Sequence, residues 1–341
     1  MGICYAALVV TVSNVCIFLL GPTGVGKTAL ALALAARLPI EIVSVDSAQV
    51  YRGLDIGTAK PNPGVLRRVP HHLIDICAPT TNYSAAQFRA DALTVIAAIR
   101  ARGRIPLLVG GTGLYFRALA QGLAVMPATD ERIRTALQAE LAAIGVAAMH
   151  ARLAQVDPAA AARIHAHDPQ RILRALEIYA ATAIPQSVWW QREQLAPLAG
   201  AIIKIALGVV DRDVLRARLA QRFHGMLERG LINEVATLRA QPGISAATPA
   251  LRSVGYREVW RYLEGELARA DMIDRAIVAT RQLAKRQLTW LRQETDCFWI
   301  DSADPMLADR VIARIREQVI FNDNESDLEY PPTPLEKQQE A

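Results

Sequence analysis

The stretch VCIFLLGPTGVGKT, Val15 to Thr28, decides the fold of this chain. Six apolar residues in succession read as a strand buried on both faces. They run directly into Gly21, Pro22, Thr23, Gly24, Val25, Gly26, Lys27 and Thr28, a match to G-x-x-x-x-G-K-[ST], and an Ala/Leu helix follows. Glycines at these positions let backbone N–H groups turn inward around a phosphate chain. Lys27 adds a point charge, and the Thr28 hydroxyl can ligate Mg²⁺. A fortuitous glycine-rich turn is the bland alternative, and the strand before and helix after argue against it.

Working outward, strand and helix alternate. Lys27–Leu38 reads as a helix, Ile40–Val45 as a second buried strand and Ile105–Val109 as a third. Between the last two, Ser84 and Gln87 form a capping box that opens a helix closing at Gly103. Such alternation predicts a three-layer α/β domain with a parallel sheet. From about Leu119 to Gly200 the strand runs vanish, alanine rises, and Asp157-Pro158 and Asp168-Pro169 mark helix starts. Ile202–Val210 returns to a strand, Asp211 to Gly230 is a helix, and Cys297–Ile300 is a late strand. The expected division is an N-terminal extension (1–14), a core (15–118 and 201–320), an all-helical insertion domain (119–200) and a disordered acidic tail (321–341).

The chain has 341 residues, 52% of them hydrophobic and 21% charged, which suits a folded protein with ample core. Its net charge of +5 conceals an asymmetry. Six acids and Lys337 leave −5 after Asn322, so the rest carries +10, which permits a polyanionic partner. Cys4, Cys16, Cys77 and Cys297 lack CxxC spacing, which excludes a zinc site or disulfide framework and fits a reducing cytoplasm. Ile3–Leu20 is apolar but lacks a positive flank, and Ser13 and Asn14 interrupt it, so neither a signal peptide nor a membrane anchor is expected.

Asp46 is the one carboxylate that ends a predicted strand. In a doubly wound sheet it lies at the carboxyl edge beside the phosphate loop. It either abstracts a proton or merely caps the next segment. The strand Ile105–Val109 ends in Gly110, Gly111, Thr112 and Gly113 without the acid that water-activating members of this class use. Arg222 shares a helical stripe with Leu215, Leu219 and Met226, so its guanidinium needs an anion, either a structural carboxylate or a substrate diphosphate. Basic clusters at Gln170–Arg174, Arg252–Arg257 and Arg281–Arg292 are each a solvated face or, together, a track for a nucleic-acid backbone. His71-His72 and His165/His167 lack acids or cysteines at ligand spacing, and Trp189-Trp190 packs or stacks bases.

The phosphate loop, Ser44–Tyr51, Asp55–Pro61, Pro106–Tyr115, Asp168–Arg171, Arg222-Phe223, Val254–Arg257 and Thr280–Gln287 occur in the order seen in one family. Over roughly Val15 to Arg316 the chain closely resembles the tRNA dimethylallyltransferases (tRNA isopentenyltransferases) of the shorter bacterial type. The resemblance implies a P-loop NTPase-like fold with a helical insert that binds tRNA. It implies transfer of a dimethylallyl group from dimethylallyl diphosphate to N6 of the adenosine immediately 3′ of the anticodon, with Mg²⁺. The phosphate loop would then bind the isoprenoid diphosphate, with Gly21 to Thr28 as the donor site and Thr28 on the metal. Asp46 would be the base, and Arg222 would hold the leaving diphosphate. Asp46, Ser47, Ala48, Gln49, Thr112, Arg134, Gln170, Arg171, Ile172, Leu173, Arg174, Arg252, Ser253, Val254, Gly255, Tyr256 and Arg257 would face the anticodon stem-loop. A cytoplasmic monomer is expected. An ATP-dependent small-molecule kinase, a prenyltransferase of free adenine nucleotides and a non-enzymatic RNA-binding module are the rival readings.

Overall fold

The computed structural model describes residues 10–128, 130–192, 195–209, 211–294 and 296–320. Along the chain lie β1 (Val10–Thr11), β2 (Val15–Leu20), α1 (Lys27–Ala35), β3 (Ile40–Val45), α2 (Pro63–Arg68), β4 (His71–His72), α3 (Ala85–Ala101), β5 (Ile105–Gly110) and α4 (Gly113–Ala120). Next come α5 (Glu131–Val156), α6 (Pro158–Arg163), α7 (Pro169–Thr182) and α8 (Gln186–Trp189). The chain continues through β6 (Ala201–Gly208), α9 (Arg212–Glu228), α10 (Leu231–Arg239), α11 (Tyr256–Leu263), α12 (Arg269–Leu291), β7 (Phe298–Asp301), α13 (Leu307–Arg316) and β8 (Val319–Ile320).

Six strands form one parallel sheet in the order β4-β3-β5-β2-β6-β7. β2 is central and buried at every residue, as its unbroken apolar run requires. Val15, Ile17 and Leu19 pack with Leu30 and Leu34 of α1 and Val311, Ile312 and Ile315 of α13. Phe18 points the other way, its ring 5.0 Å from Phe116 of α4. These two faces make the three layers. Ser84 caps α3 with the expected box.

β4 went unread in the sequence, because two histidines carry no strand signal. It forms the edge beside β3, where His72 Nε2 lies 2.7 Å from the buried Glu41 carboxylate. Burial pushes the Glu41 pKa up, but bonds from Arg102 and His72 outweigh it and hold the carboxyl below its usual range.

The end of the presumed loose extension is ordered: Val10–Thr11 pairs in parallel with Val319–Ile320, and Val12 is buried in the core. The rest of that extension, 1–9, and the acidic tail, 321–341, lie outside the described residues.

The chain divides into two units, one running to Ala118 and resuming at Ala199, the other Leu119–Leu198. The second unit packs α5, α6 and α7 around Leu137, Met149, Leu153, Ile164, Ile172 and Leu176. Asp130, Asp157 and Asp168 cap these helices with side-chain oxygens, and Gly145 (φ 79°) breaks α5. Among the described residues no helix is long and apolar enough to cross a membrane.

Candidate active site

β2, β3 and β5 end side by side, and the loops that follow them hold Lys27, Asp46 and Thr112. After β2 the chain turns through Gly24 (φ 79°), where a Cβ would lie 2.6 Å from Leu219 of α9. Only glycine accepts both that backbone angle and that approach. The loop then delivers Lys27 to the first turn of α1, where helical amides lack intrahelical partners. Lys27 Nζ donates to the carbonyls of Gly21 and Pro22, each at 2.8 Å. Burial pushes its pKa down to about 7; the Asp46 charge opposes this and Arg222 reinforces it. Thr28 is exposed one residue further on.

Asp46 follows β3 directly. Its Oδ1 accepts the amides of Ala48 (2.8 Å) and Gln49 (3.3 Å), so one carboxylate oxygen caps a turn. Oδ2 has no hydrogen-bond partner among the described residues. The turn is secured from outside, since the Ser47 amide donates to Thr112 Oγ1 at 3.2 Å after β5. Buried Ser44 donates to Gln49 Oε1 (2.9 Å), and Gln49 Nε2 donates to the Thr58 carbonyl (3.2 Å).

Arg222 reaches the same place from α9, on the stripe of Leu215, Leu219 and Met226, all buried. Among the described residues it makes no ion pair. Burial holds its pKa below the usual arginine range, and the charge of Asp46 partly counters this. Lys27, Asp46 and Arg222 thus act on one another electrostatically around the phosphate loop. An unpaired, largely desolvated guanidinium is costly, and an incoming anion would remove that cost.

Two residues of α12 outside the expected site also reach these loops. Gln287 Oε1 accepts the Thr23 amide of the phosphate loop at 2.8 Å, and a Cβ on Gly111 would lie 2.2 Å from Gln287 Nε2. Trp290 stacks near Phe116 (6.2 Å) and occupies the space beside Gly113. The available signal was a polar residue between buried Ala284 and Leu291 at i+3 and i+7, the pattern that betrayed Arg222. Burial raises the Tyr115 pKa, and the Asp46 charge adds to this.

The other basic candidates have different surroundings. Arg174 Nη1 binds Glu177 (2.7 Å) and its Nη2 binds the Pro127 carbonyl (2.6 Å), while Arg134 lies 3.7 Å from the same Glu177. Ile172 sits in the core of its own unit, Leu173 is half-buried, and Gln170 and Arg171 are exposed. Arg252 and Arg257 are exposed, Ser253 and Val254 half-buried. Tyr256, read as tRNA-facing, is wholly buried with its hydroxyl 2.5 Å from Glu234, so it offers no side chain to a partner. In the helical unit Arg163 lies over the Trp190 ring (4.4 Å) and Arg192 over Trp189 (4.2 Å).

A family model described as IPP transferase matches residues 49–294, beginning just after Asp46. A tRNA dimethylallyltransferase of Stenotrophomonas maltophilia (strain K279a) is 57% identical over 290 residues, 84% of this chain and 92% of that protein. Its counterpart in strain R551-3 is 56% identical over the same length. Among solved structures, a tRNA isopentenylpyrophosphate transferase from Bacillus halodurans is 37% identical, with a TM-score of 0.64, covering 90% of this chain and 98% of that one. A eukaryotic dimethylallyltransferase acting on tRNA aligns with a TM-score of 0.74 at 27% identity over 91% of this chain and 81% of its own.

Proposed function

The chain belongs to the IPP transferase family and is a tRNA prenyltransferase, and from that premise we propose its donor, its acceptor atom and the work of each site residue. The donor is dimethylallyl diphosphate, and the acceptor is N6 of the adenosine immediately 3′ of the anticodon. The observation that carries this reading is Arg222, desolvated and unpaired among the described residues, beside a phosphate loop whose partner strand lacks a water-activating acid.

The diphosphate lies along the amides of Gly24 to Thr28, with Lys27 and Arg222 on its oxygens. The allylic C–O bond breaks as the N6–C bond forms, so positive charge spreads over the allyl group and negative charge gathers on the departing diphosphate. Fixed cations and loop dipoles stabilise that separation without reorganising. Gaining its fourth bond acidifies N6, and its proton passes to Oδ2 of Asp46, the oxygen the capping turn leaves free. The adenine must leave its stack for N6 to be reached.

Mg²⁺ fits this site as an ion carried on the donor. Thr28 offers one hard oxygen, and the described residues contain no cluster of three acids or histidines that would hold a metal alone. When bound, it neutralises diphosphate charge as a Lewis acid.

The test supplies labelled dimethylallyl diphosphate, Mg²⁺ and an anticodon stem-loop, with ATP in place of the donor and AMP in place of the RNA as parallel arms. Label on the adenine of the stem-loop alone supports the reading. Label on AMP makes free nucleotides the acceptor, and phosphoryl transfer from ATP makes the chain a kinase.

A further inference from the structure

Glu234 stands in the first turn of α10. Among the described residues its carboxylate meets no cation. Oε2 accepts the backbone amides of Asp55 (3.1 Å) and Ile56 (2.7 Å), and Oε1 accepts the Gly57 amide (3.3 Å) and the Tyr256 hydroxyl (2.5 Å). Four neutral donors converge on one half-buried carboxylate, and the Tyr256 oxygen in turn accepts the Gly57 amide at 3.1 Å. A Cβ on Gly57 would lie 2.4 Å from the Tyr256 ring, so the turn presses flat onto that side chain.

The next residue leads to the base. The Thr58 carbonyl accepts from Gln49 Nε2, Gln49 Oε1 accepts from Ser44, and the Gln49 amide donates to Asp46 Oδ1. Lys60 holds the same loop from its other side: it binds the Tyr51 carbonyl (2.6 Å), the Asp55 carboxylate (2.8 Å) and Asp75. Lys60 therefore closes the loop, while Glu234 sets the position of the 55–58 turn against α10 and α11.

We propose that Glu234 is a positioning residue for prenyl transfer: it holds the 55–58 turn, and through Thr58 and Gln49 it aims the free carboxylate oxygen of Asp46. The inference rests on Asp46 being the base. A carboxylate is suited to this work because it accepts from four donors at once and, at half burial, needs no counter-ion when backbone dipoles face it. A misplacement of about 1 Å at a reacting group costs on the order of 10²-fold in rate, which sets the scale expected here.

The experiment compares Glu234→Gln with wild type in single turnover, with stem-loop and dimethylallyl diphosphate both saturating, alongside donor affinity and thermal melting. The glutamine amide would turn one donor group toward donors. The expected result is a rate loss of about 10²-fold with donor affinity unchanged, and no further loss when Glu234→Gln is added to Gln49→Ala. Tyr256→Phe removes one of the four donors and gives a smaller loss in the same direction, which keeps the test intact if the glutamine variant does not fold. A lowered melting temperature with a normal saturated rate overturns the inference, as does a loss that adds fully to that of Gln49→Ala. Asp46→Asn run in parallel separates the premise. A normal rate there removes the base assignment itself, whereas a lost rate there with a normal Glu234→Gln rate overturns the positioning role alone.

Discussion

Arg222 on α9 and Arg174 on α7 both begin as arginines on helices with a buried face, and they end in opposite states. Arg174 is held by Glu177 on its own helix and by a backbone carbonyl. Arg222 has Arg218, Leu219, Gly225 and Met226 as its helical neighbours, no acid among them, and forms no ion pair among the described residues. An arginine with its own acid one turn away has a structural answer to burial. One without such an acid keeps its full demand for an anion, and that demand is the functional signal.

Asp46→Asn is the most severe way to test the side of this contrast that faces substrate. It retains the turn, because an amide oxygen still caps Ala48 and Gln49, but removes the proposed base. Single-turnover transfer should fall by about 10²–10⁴-fold with donor and tRNA still bound. Near-normal turnover would leave Asp46 as a cap and nothing more.

Arg222→Ala should lower the rate by about 10²–10³-fold while the melting temperature stays within a few degrees of wild type. Lysine at 222 should recover only part of the rate, because it keeps the charge without the fork. Early melting with normal turnover would move Arg222 to the class of Arg174 and dissolve the contrast.

Lys27 sharpens the same point through pH. Its pKa in the free protein is pushed down to about 7, so it loses its proton as pH rises through that value. Donor affinity should be greatest below pH 7 and weaken above it by up to about tenfold per unit, with proton uptake on binding at pH 8. Titration calorimetry in two buffers of different ionisation enthalpy reads both. An affinity flat from pH 6 to 9 would show that Lys27 stays charged or does not touch the donor.

The effects on the structural side are smaller. Glu177→Ala takes the carboxylate from Arg174 and Arg134, both only partly exposed, and should cost roughly 1–3 kcal/mol in denaturant unfolding. Arg171→Ala should leave stability and donor affinity alone and flatten the log–log salt dependence of tRNA binding by roughly 0.7–0.9. Its side chain is 73% exposed and only loosely paired with Asp168. An unchanged slope would assign Arg171 to solvent, and the same slope change in Arg174→Ala would contradict the clamp described for it.

Whatever depends on local pattern could be read from the order of residues alone. An unbroken apolar run placed β2 and a mostly apolar one β3, side-chain caps at Ser84, Asp157 and Asp168 marked three helix starts, and the glycine spacing of residues 21–28 specified the phosphate loop. Each is settled within about eight residues by backbone sterics or a single capping bond, so no distant residue is needed to read it. Helical periodicity also turned Arg222 inward. Tertiary structure alone decided which charges meet. The sequence did not say that Glu177 would satisfy Arg174 and Arg134, that Tyr256 would be buried, that Gln287 would accept the Thr23 amide across 264 residues, or that Glu234 would hold the turn leading to Asp46. The histidine pair at the sheet edge is a strand through its pairing with Ile42 and Val43 of β3, where the His72 side chain also meets Glu41. A hydrogen bond depends on distance in space, and only packing brings its two partners together; the chain's order does not contain that distance.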